Sequence, residues 1–181
     1  MNCRLWISGL PPTCTVKQLL SQIRGIGPVY AVHIVPPQID NTTSKTSIST
    51  SAASLTFFSE DAANKFLLRH DQQPITVGGY TIYIVRHRIR TKSFPADGQS
   101  RVLVISGNPE IVTPEHLTHL FSEEWNIRFD TEYVEFRQGH VTNEIVWAFG
   151  SFRAQAQAAY LFLSDLSREG ISVHYAPDPC D

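Results

Sequence analysis

The sequence predicts an α+β fold made of two copies of a βαββαβ unit, joined by a short connector. Two stretches, Arg4–Pro11 and Arg101–Pro109, share the ending apolar-Ile-Ser-Gly-x-Pro. A strand in each half then ends in Phe and is followed six residues later by Ala, in the pairs Phe57/Ala63 and Phe152/Ala158. An internal repeat at this scale is hard to produce by chance, so the chain is expected to fold as two similar units.

The first half reads as one complete unit. Its first helix is expected to begin at Val16, because Thr15-Val-Lys-Gln18 has the spacing of a capping box. Strands are expected where β-branched and aromatic residues recur between turn residues. The predicted elements after the strand at Arg4–Pro11 are, in order, helix Val16–Arg24, strand Val29–Val35, a strand ending in Phe57, helix Glu60–Arg69 and strand Tyr80–Val85.

The second half repeats this order. Thr113-Pro114-Glu115 places proline at the first helical position, which is where a helix accepts it best. The predicted elements after the strand at Arg101–Pro109 are helix Pro114–Glu124, strand Glu132–Arg137, strand Glu144–Phe152, helix Arg153–Ser167 and strand Ile171–Ala176. With 181 residues, the chain therefore divides into a first domain at 1–88, a linker at 89–100 and a second domain at 101–181.

The strand Glu144–Phe152 is the most informative single segment. Read with period 2, it places Ala148, Gly150 and Phe152 on one face, where they would lie under packed helices. The other face then holds the large rings of Trp147 and Phe149, side by side and open to solvent.

This strand resembles the octamer of the RNA recognition motif, in which two rings separated by a small residue stack on bases. The match is to the ring positions, since Ile145-Val146 replaces the usual Lys/Arg-Gly opening. Arg4–Pro11 and Arg101–Pro109 resemble the hexamer strand that opens this motif. The resemblance implies two tandem, divergent copies of a ferredoxin-like domain, each a four-stranded antiparallel sheet with two helices on one face.

The resemblance further implies binding of single-stranded RNA on the exposed sheet face, with no catalysis, no cofactor and no metal. In the second unit, strand alternation gives a platform of rings and polar groups. Its members are Trp147, Phe149, Tyr133, His174 and Arg137. This unit departs from the family at Val104, where the hexamer usually supplies a ring, and Glu135 beside the platform would repel phosphate.

The first unit has the reverse departure. Trp6 occupies the ring position of the hexamer, but Ala52 and Ser54 fill both ring positions of the octamer. The other outward candidates are His33 and Tyr83. With a single strong stacking residue, this sheet is expected to bind single strands weakly unless neighbouring cations contribute.

Formal charge is divided unevenly along the chain. Residues 1–95 carry ten Lys and Arg against four Asp and Glu, whereas residues 96–181 carry five against thirteen. The basic excess is densest just after the last strand of the first unit, at Arg86, Arg88, Arg90 and Lys92. Such a cluster suits phosphate binding through counterion release, and it equally suits a solvated connector.

Other features of the sequence limit the possible functions and cellular settings. Three scattered cysteines, no leader before Arg4 and no long apolar run predict an intracellular protein with free thiols and no membrane contact. The resemblance fits a nuclear or a cytoplasmic role, and the nucleus is favoured over the cytoplasm. His116 and His119 have helical i, i+3 spacing, but no other ligand cluster accompanies them. The Ser/Thr-rich stretch Gln38–Ser51 resembles the variable loop of the family.

Two functions therefore remain open. The first is non-catalytic RNA binding in mRNA processing or regulation. The second is a protein-interaction module on degenerate copies of the same fold, which would scaffold a ribonucleoprotein complex. The missing ring positions in both units and the acidity of the second unit favour this second reading, and exposed aromatic patches frequently mark protein interfaces.

Overall fold

The computed structural model describes residues 1–37 and 49–181. These residues form helices and antiparallel sheets, which confirms the α+β class. They divide into two compact units, the first made of 1–95 with 179–181 and the second of 96–178. The partition into domains 1–88 and 101–181 with a linker stays a prediction. Most of the stretch interpreted as the variable loop, Gln38–Ser51, lies outside the described residues.

The first unit is built around one antiparallel sheet. Within its described residues the elements are, in chain order, β1 Arg4–Leu10, α1 Val16–Leu20, β2 Val29–Val35, β3 Ser51–Phe57, α2 Glu60–Gln72, β4 Thr76–Val77, β5 Tyr80–Thr81 and β6 Tyr83–Arg86. The first sheet has the strand order β2-β3-β1-β6. The strand predicted over Tyr80–Val85 is interrupted, because β4 and β5 pair as a hairpin about Gly78 and Gly79, which both have positive φ.

Helix α1 begins as predicted and ends early. Gln18 N donates to Thr15 Oγ1 over 3.2 Å and Thr15 N donates to Gln18 Oε1 over 3.0 Å, which completes the capping box. Beyond Leu20 the chain tightens into i→i−3 bonds, from Gln22 N to Leu19 O and from Ile23 N to Leu20 O. The predicted end at Arg24 is therefore wrong.

The second unit repeats the arrangement with an altered helix layer. Its elements are, in chain order, β7 Val102–Gly107, α3 Pro114–His119, a π-helical turn Leu120–Glu124, β8 Thr131–Arg137, β9 Asn143–Phe149, a turn Phe152–Ala156, α4 Gln157–Asp165, a 3-10 turn Leu166–Glu169 and β10 Ser172–Ala176. The second sheet has the order β10-β7-β9-β8. Helix α4 does not begin at Arg153 as predicted, because Arg153 and Ala154 have non-helical backbone angles.

An ion cluster lies buried in the second unit. The guanidinium of Arg101 contacts Glu132 Oε2 at 2.7 Å and Asp178 Oδ1 at 2.9 Å, and Nη1 also donates to the carbonyl of Phe149 over 2.8 Å. All three charged side chains are almost fully buried. Buried charges are tolerated when they are paired and hydrogen-bonded in this way. Arg101, which the sequence analysis placed in a strand, thus ties the start of β7 to β8 and to the end of the unit.

Three further findings bear on the sequence analysis. None of the described helices is long and apolar enough to span a membrane. Among the described residues, no disulfide joins Cys3, Cys14 or Cys180. No group of three or more His, Cys, Asp or Glu in the same part of the chain is placed to hold a metal ion.

Candidate nucleic-acid interface

The open face of the first sheet is the side that α1 and α2 do not cover. Residues directly opposite each other on paired strands share a face, and neighbours along a strand alternate. Trp6 pairs with both Ser54 and Val85, and Ser54 pairs with His33, so all four share the open face. The full set is Arg4, Trp6, Ser8, Ala31, His33, Val35, Ala52, Ser54, Thr56, Tyr83 and Val85. The expected outward placement of Trp6, His33 and Tyr83 is confirmed.

Rings and an exposed valine form a strip along β1 and β6. Tyr83 lies opposite Ser8 and is 66% exposed, and the exposed Val85 lies opposite Trp6. The indole of Trp6 meets the ring of His87 edge-on, with centroids 5.8 Å apart. Trp6, Val85 and His87, together with neighbouring arginines, line an open cleft of about 350 Å³, which is within the size range of small-ligand sites.

Among its described strand residues, the open face of the first sheet carries the guanidinium of Arg4 and no carboxylate. Arg4 Nε donates to Ser54 Oγ over 2.7 Å, which holds the guanidinium over the middle of the face. The Nδ1 of His87 accepts a hydrogen bond from the amide of Ile89 over 3.0 Å. Burial and the nearby charge of Arg4 lower the pKa of His87, so this ring is neutral at pH 7 and its other nitrogen is a donor.

The arginines after β6 differ from one another. Arg86 pairs in register with Leu5, on the side that the helices cover, and donates to the carbonyl of Asn2 and to the side chain of Asn64 on α2. Two of its donors thus serve the packing of α2 against the sheet edge, and Arg86 also lines the cleft beside Trp6, so its assignment to RNA stays a prediction. Arg88 and Arg90 are exposed, as a phosphate-binding role requires.

The basic segment after β6 is held against the first unit. The amide of Cys3 donates to the carbonyl of Thr91 over 2.8 Å, and the amide of Phe94 donates to the carbonyl of Phe58 over 2.9 Å. The ring of Phe94 stacks on Tyr30 with centroids 4.4 Å apart and planes 3° apart. Arg88 and Arg90 thus project from an ordered backbone, in a stretch where the sequence analysis expected a linker.

The second sheet places its two large rings on the opposite face from the one expected. Trp147 pairs in register with the buried Leu103, and Trp147 and Phe149 are only 3% and 0% exposed. Both rings pack on Phe121, at 5.2 Å and 5.6 Å between centroids, and Trp147 Nε1 donates to Thr131 Oγ1 over 3.1 Å. The expected exposure of Trp147 and Phe149 is wrong, so neither ring is available to stack on a base.

The prediction for this strand was wrong because it extended the alternation of inner and outer residues to Phe152, beyond the end of β9. β9 stops at Phe149, and the chain then turns, so Phe152 reaches the interior by another route, against Tyr175. Within β9 the open face carries Glu144, Val146 and Ala148. The sequence does contain a signal for the observed register. Glu144 lies on the same face of the strand as Ala148, and a charged residue marks that face as the outer one. Trp147 lies on the opposite face, which is therefore the inner one.

The rest of the second open face agrees with the sequence analysis. Tyr133, Arg137 and His174 lie on this face as expected. Arg137 forms a salt bridge with Glu144 at 3.1 Å, so their charges compensate each other. The charge of Glu135 then makes the surface beside Tyr133 negative. The other residues on this side of the sheet are small or aliphatic, and two of them, Val102 and Ala148, are buried. They are Val102, Val104, Ser106, Val146, Ala148, Ser172 and Ala176.

Comparison with known proteins bears on the fold. No protein-family model and no curated protein matches the chain. Among solved structures, the chain is similar to RNA recognition domains 1 and 2 of Sex-lethal from Drosophila melanogaster, at 21% identity and a TM-score of 0.33, covering 97% of this chain and 100% of that one. It is also similar to the first two RRM domains of the yeast poly(U)-binding protein Pub1, at 14% identity and a TM-score of 0.38, covering 97% and 99%.

A third similar structure is the RNA-binding domain of Hrp1 in complex with RNA, at 16% identity and a TM-score of 0.36, covering 98% of each chain. The element order and the helix-covered antiparallel sheets of this chain agree with the RNA-recognition-motif fold that the sequence resembles.

Proposed function

We propose that this chain is a non-catalytic single-stranded RNA-binding protein made of two tandem RNA-recognition-motif domains, and that the first domain carries most of the binding. Bases stack on Trp6 and Tyr83, and His33 contributes a third ring. Phosphates contact Arg88, which lines the cleft beside Trp6, and the exposed Arg90, two residues further along the same segment. Stacking is tolerant of sequence because every base has a π-face, and the cations add attraction that depends on salt.

One observation supports this assignment above the others. The open face of the first sheet combines exposed rings with Arg4 and, among its described strand residues, holds no carboxylate. Single-strand binders combine these same two features, aromatic platforms and a positive groove. Tyr133, His174 and Arg137 of the second sheet provide at most a weaker, auxiliary contact, because Glu135 and Glu144 share their face.

The test is a binding titration of fluorescently labelled single-stranded RNA with the full chain and two matched variants. Tyr83→Ala removes a ring from the open face of the first sheet. Tyr80→Ala removes an equally large exposed ring three residues away, in the β4–β5 hairpin. We expect Tyr83→Ala to weaken binding and Tyr80→Ala to leave it unchanged. Equal effects of the two substitutions would contradict the assignment.

The cellular role is a further part of the proposal. RNA binding of this kind suits mRNA processing or regulation, and the nucleus is favoured over the cytoplasm. The alternative, a protein-interaction module that scaffolds a ribonucleoprotein complex, predicts no measurable RNA affinity in the unmodified chain even at low salt. Imaging the tagged full chain, before and after transcription is blocked, tests the nuclear setting.

A further inference from the structure

An exposed serine lies in the basic segment that follows β6 of the first unit. Arg88 and Arg90 precede Ser93 by five and three residues, and Phe94 follows it directly. All four residues are exposed. Charged groups at fixed distances from a hydroxyl are the kind of pattern by which protein kinases select their substrates. The segment therefore has the charge and the exposure of a substrate for a kinase with an acidic groove.

The local structure around Ser93 allows a phosphoryl group to reach it. Residues 90–96, all within the described part of the chain, form no helix or strand. Phosphoryl transfer requires the hydroxyl to be in line with the γ-phosphate, and such a segment can be aligned without breaking a helix or a sheet. The Oγ of Ser93 lies 3.4 Å from Sγ of Cys3. Because sulfur is a weak hydrogen-bonding partner, the hydroxyl can turn outward at little cost.

A neighbouring hydroxyl has the same spacing from arginines and is less accessible. Thr91 is the only other serine or threonine of the chain with arginines both five and three residues before it. It is half-buried, its amide donates to Asn2 Oδ1 over 3.1 Å, and its carbonyl accepts from the amide of Cys3 over 2.8 Å. The more distant of its two arginines, Arg86, donates to the carbonyl of Asn2. The structure therefore favours Ser93 over Thr91.

We propose that Ser93 is a phosphorylation site for an arginine-directed serine/threonine kinase, and that its modification weakens the binding of RNA to the first unit. The reaction forms a bond between Oγ of Ser93 and the γ-phosphorus of ATP. It breaks the bond between that phosphorus and the bridging oxygen, which leaves with ADP, and the hydroxyl proton passes to the catalytic base of the kinase.

A phosphate at Ser93 changes the charge of the surrounding segment. Residues 88–92 carry three cations, Arg88, Arg90 and Lys92. A phosphoserine carries about −1.5 to −2 charges at pH 7, so it offsets half or more of that positive charge. RNA phosphates are then repelled from the place where Arg88 and Arg90 are proposed to hold them. This effect on RNA rests on the proposed function, whereas the modification itself does not.

The first test treats the full chain with magnesium-ATP and a purified arginine-directed kinase in the absence of RNA. Mass spectrometry of the intact chain and of its fragments follows the incorporation of phosphate. We expect one phosphate, at Ser93. Ser93→Ala should lose it, and Ser93→Thr, which keeps an acceptor hydroxyl, should regain it. A kinase that prefers acidic residues around the hydroxyl is the control enzyme and should leave Ser93 unmodified.

A pair of variants tests whether the arginines direct the kinase to the serine. The double substitution Arg88→Gln with Arg90→Gln should slow incorporation by about tenfold or more, because it removes two hydrogen-bonding charges from the recognition segment. The control pair, Arg153→Gln with Arg168→Gln, changes two exposed arginines of the second unit. This control should be modified at the rate of the parent chain.

The second test compares the affinity of the chain for single-stranded RNA before and after the kinase reaction. We expect binding at least about threefold weaker afterwards, since added negative charge opposes phosphate contacts. Ser93→Ala treated in the same way should keep its affinity. Equal affinities of the parent chain before and after incorporation would overturn the effect on RNA.

Other results decide the site itself. It would be overturned by no incorporation in the parent chain, by phosphate at Thr91 alone, or by equal rates in the two double-arginine variants. If the unmodified chain binds no RNA, the proposed function fails, while incorporation at Ser93 still supports the modification site.

Discussion

The two sheets have equivalent strand orders and antiparallel pairing, yet they place their large rings on opposite faces. The first directs Trp6 and Tyr83 outward, beside Arg4. The second buries Trp147 and Phe149 under its helices, and its opposite face carries small aliphatic residues and two glutamates. The same fold therefore exposes rings on the sheet of one unit and buries them in the core of the other, so fold alone does not decide function.

The largest expected effect tests whether the rings of the second sheet are core. Trp147→Ala should lower the free energy of unfolding by about 3–5 kcal/mol, because a buried ring leaves a cavity. Trp6→Ala, at a half-exposed position on the open face of the first sheet, should cost clearly less. Urea denaturation followed by circular dichroism measures both. If Trp147→Ala were as harmless as Trp6→Ala, the described register of β9 would be wrong.

A second prediction compares arginines. Arg101→Met leaves Glu132 and Asp178 buried without their cation, and breaking a buried pair in this way costs about 3–5 kcal/mol of stability. Arg88→Met changes an exposed residue and should shift stability by no more than about 0.5 kcal/mol. Thermal or urea unfolding of the two variants gives the difference. Equal stability would mean that the buried cluster contributes nothing specific.

How far the sequence could predict these differences depends on the residues around each strand. The inner and outer faces of β3 in the first sheet were predicted correctly. One face holds the small residues Ala52 and Ser54 and the other holds the large apolar residues Leu55 and Phe57, so the second face is clearly the buried one. In β9 both faces are largely apolar, with Ile145, Trp147 and Phe149 on one and Val146 and Ala148 on the other, so hydrophobic alternation alone did not identify the buried face. Only the position of the charged Glu144 distinguished the two faces. The resemblance to the octamer favoured the opposite assignment.

Other features lay beyond sequence reasoning for a physical reason. The Arg101–Glu132–Asp178 cluster joins residues that are far apart in the chain, and the ring of Trp125, just after the π-helical turn, stacks on Phe162 of α4. Contacts of this kind depend on tertiary packing, which local patterns do not encode. The Gly78–Gly79 turn is different, since glycine pairs are a recognised hairpin signal and could have predicted the break before β6.

A third prediction concerns RNA affinity. The double substitution Trp6→Ala with Tyr83→Ala should weaken binding of single-stranded RNA by about 1–3 kcal/mol for each base that loses its stack. The corresponding double substitution on the second sheet, Tyr133→Ala with His174→Ala, should have a smaller effect because Glu135 lies beside it. Fluorescence anisotropy with one labelled RNA measures both. A larger loss from the second pair would reverse the comparison.

The smallest expected effect is on salt dependence. Replacing Arg88 and Arg90 by Gln should flatten the plot of log affinity against log salt by about 0.7 for each phosphate that is no longer neutralised. Affinity should fall similarly for different RNA sequences, since phosphate binding carries little base information. The exposed Arg153 and Arg168 of the second unit provide the control pair, and their replacement by Gln should leave the slope unchanged. Equal slopes for all the variants would exclude Arg88 and Arg90 from the interface.

The most direct test of the proposed interface uses the three tryptophans of the chain as reporters. Each indole N–H gives its own signal in a nitrogen–proton NMR spectrum, and single-stranded RNA can be titrated into the full, labelled chain. The signal of Trp6 should shift on binding, together with the amides of Tyr83 and His33, while the signal of the buried Trp147 stays in place. Shifts confined to Trp147, Tyr133 and His174, with Trp6 unmoved, would contradict binding on the first sheet.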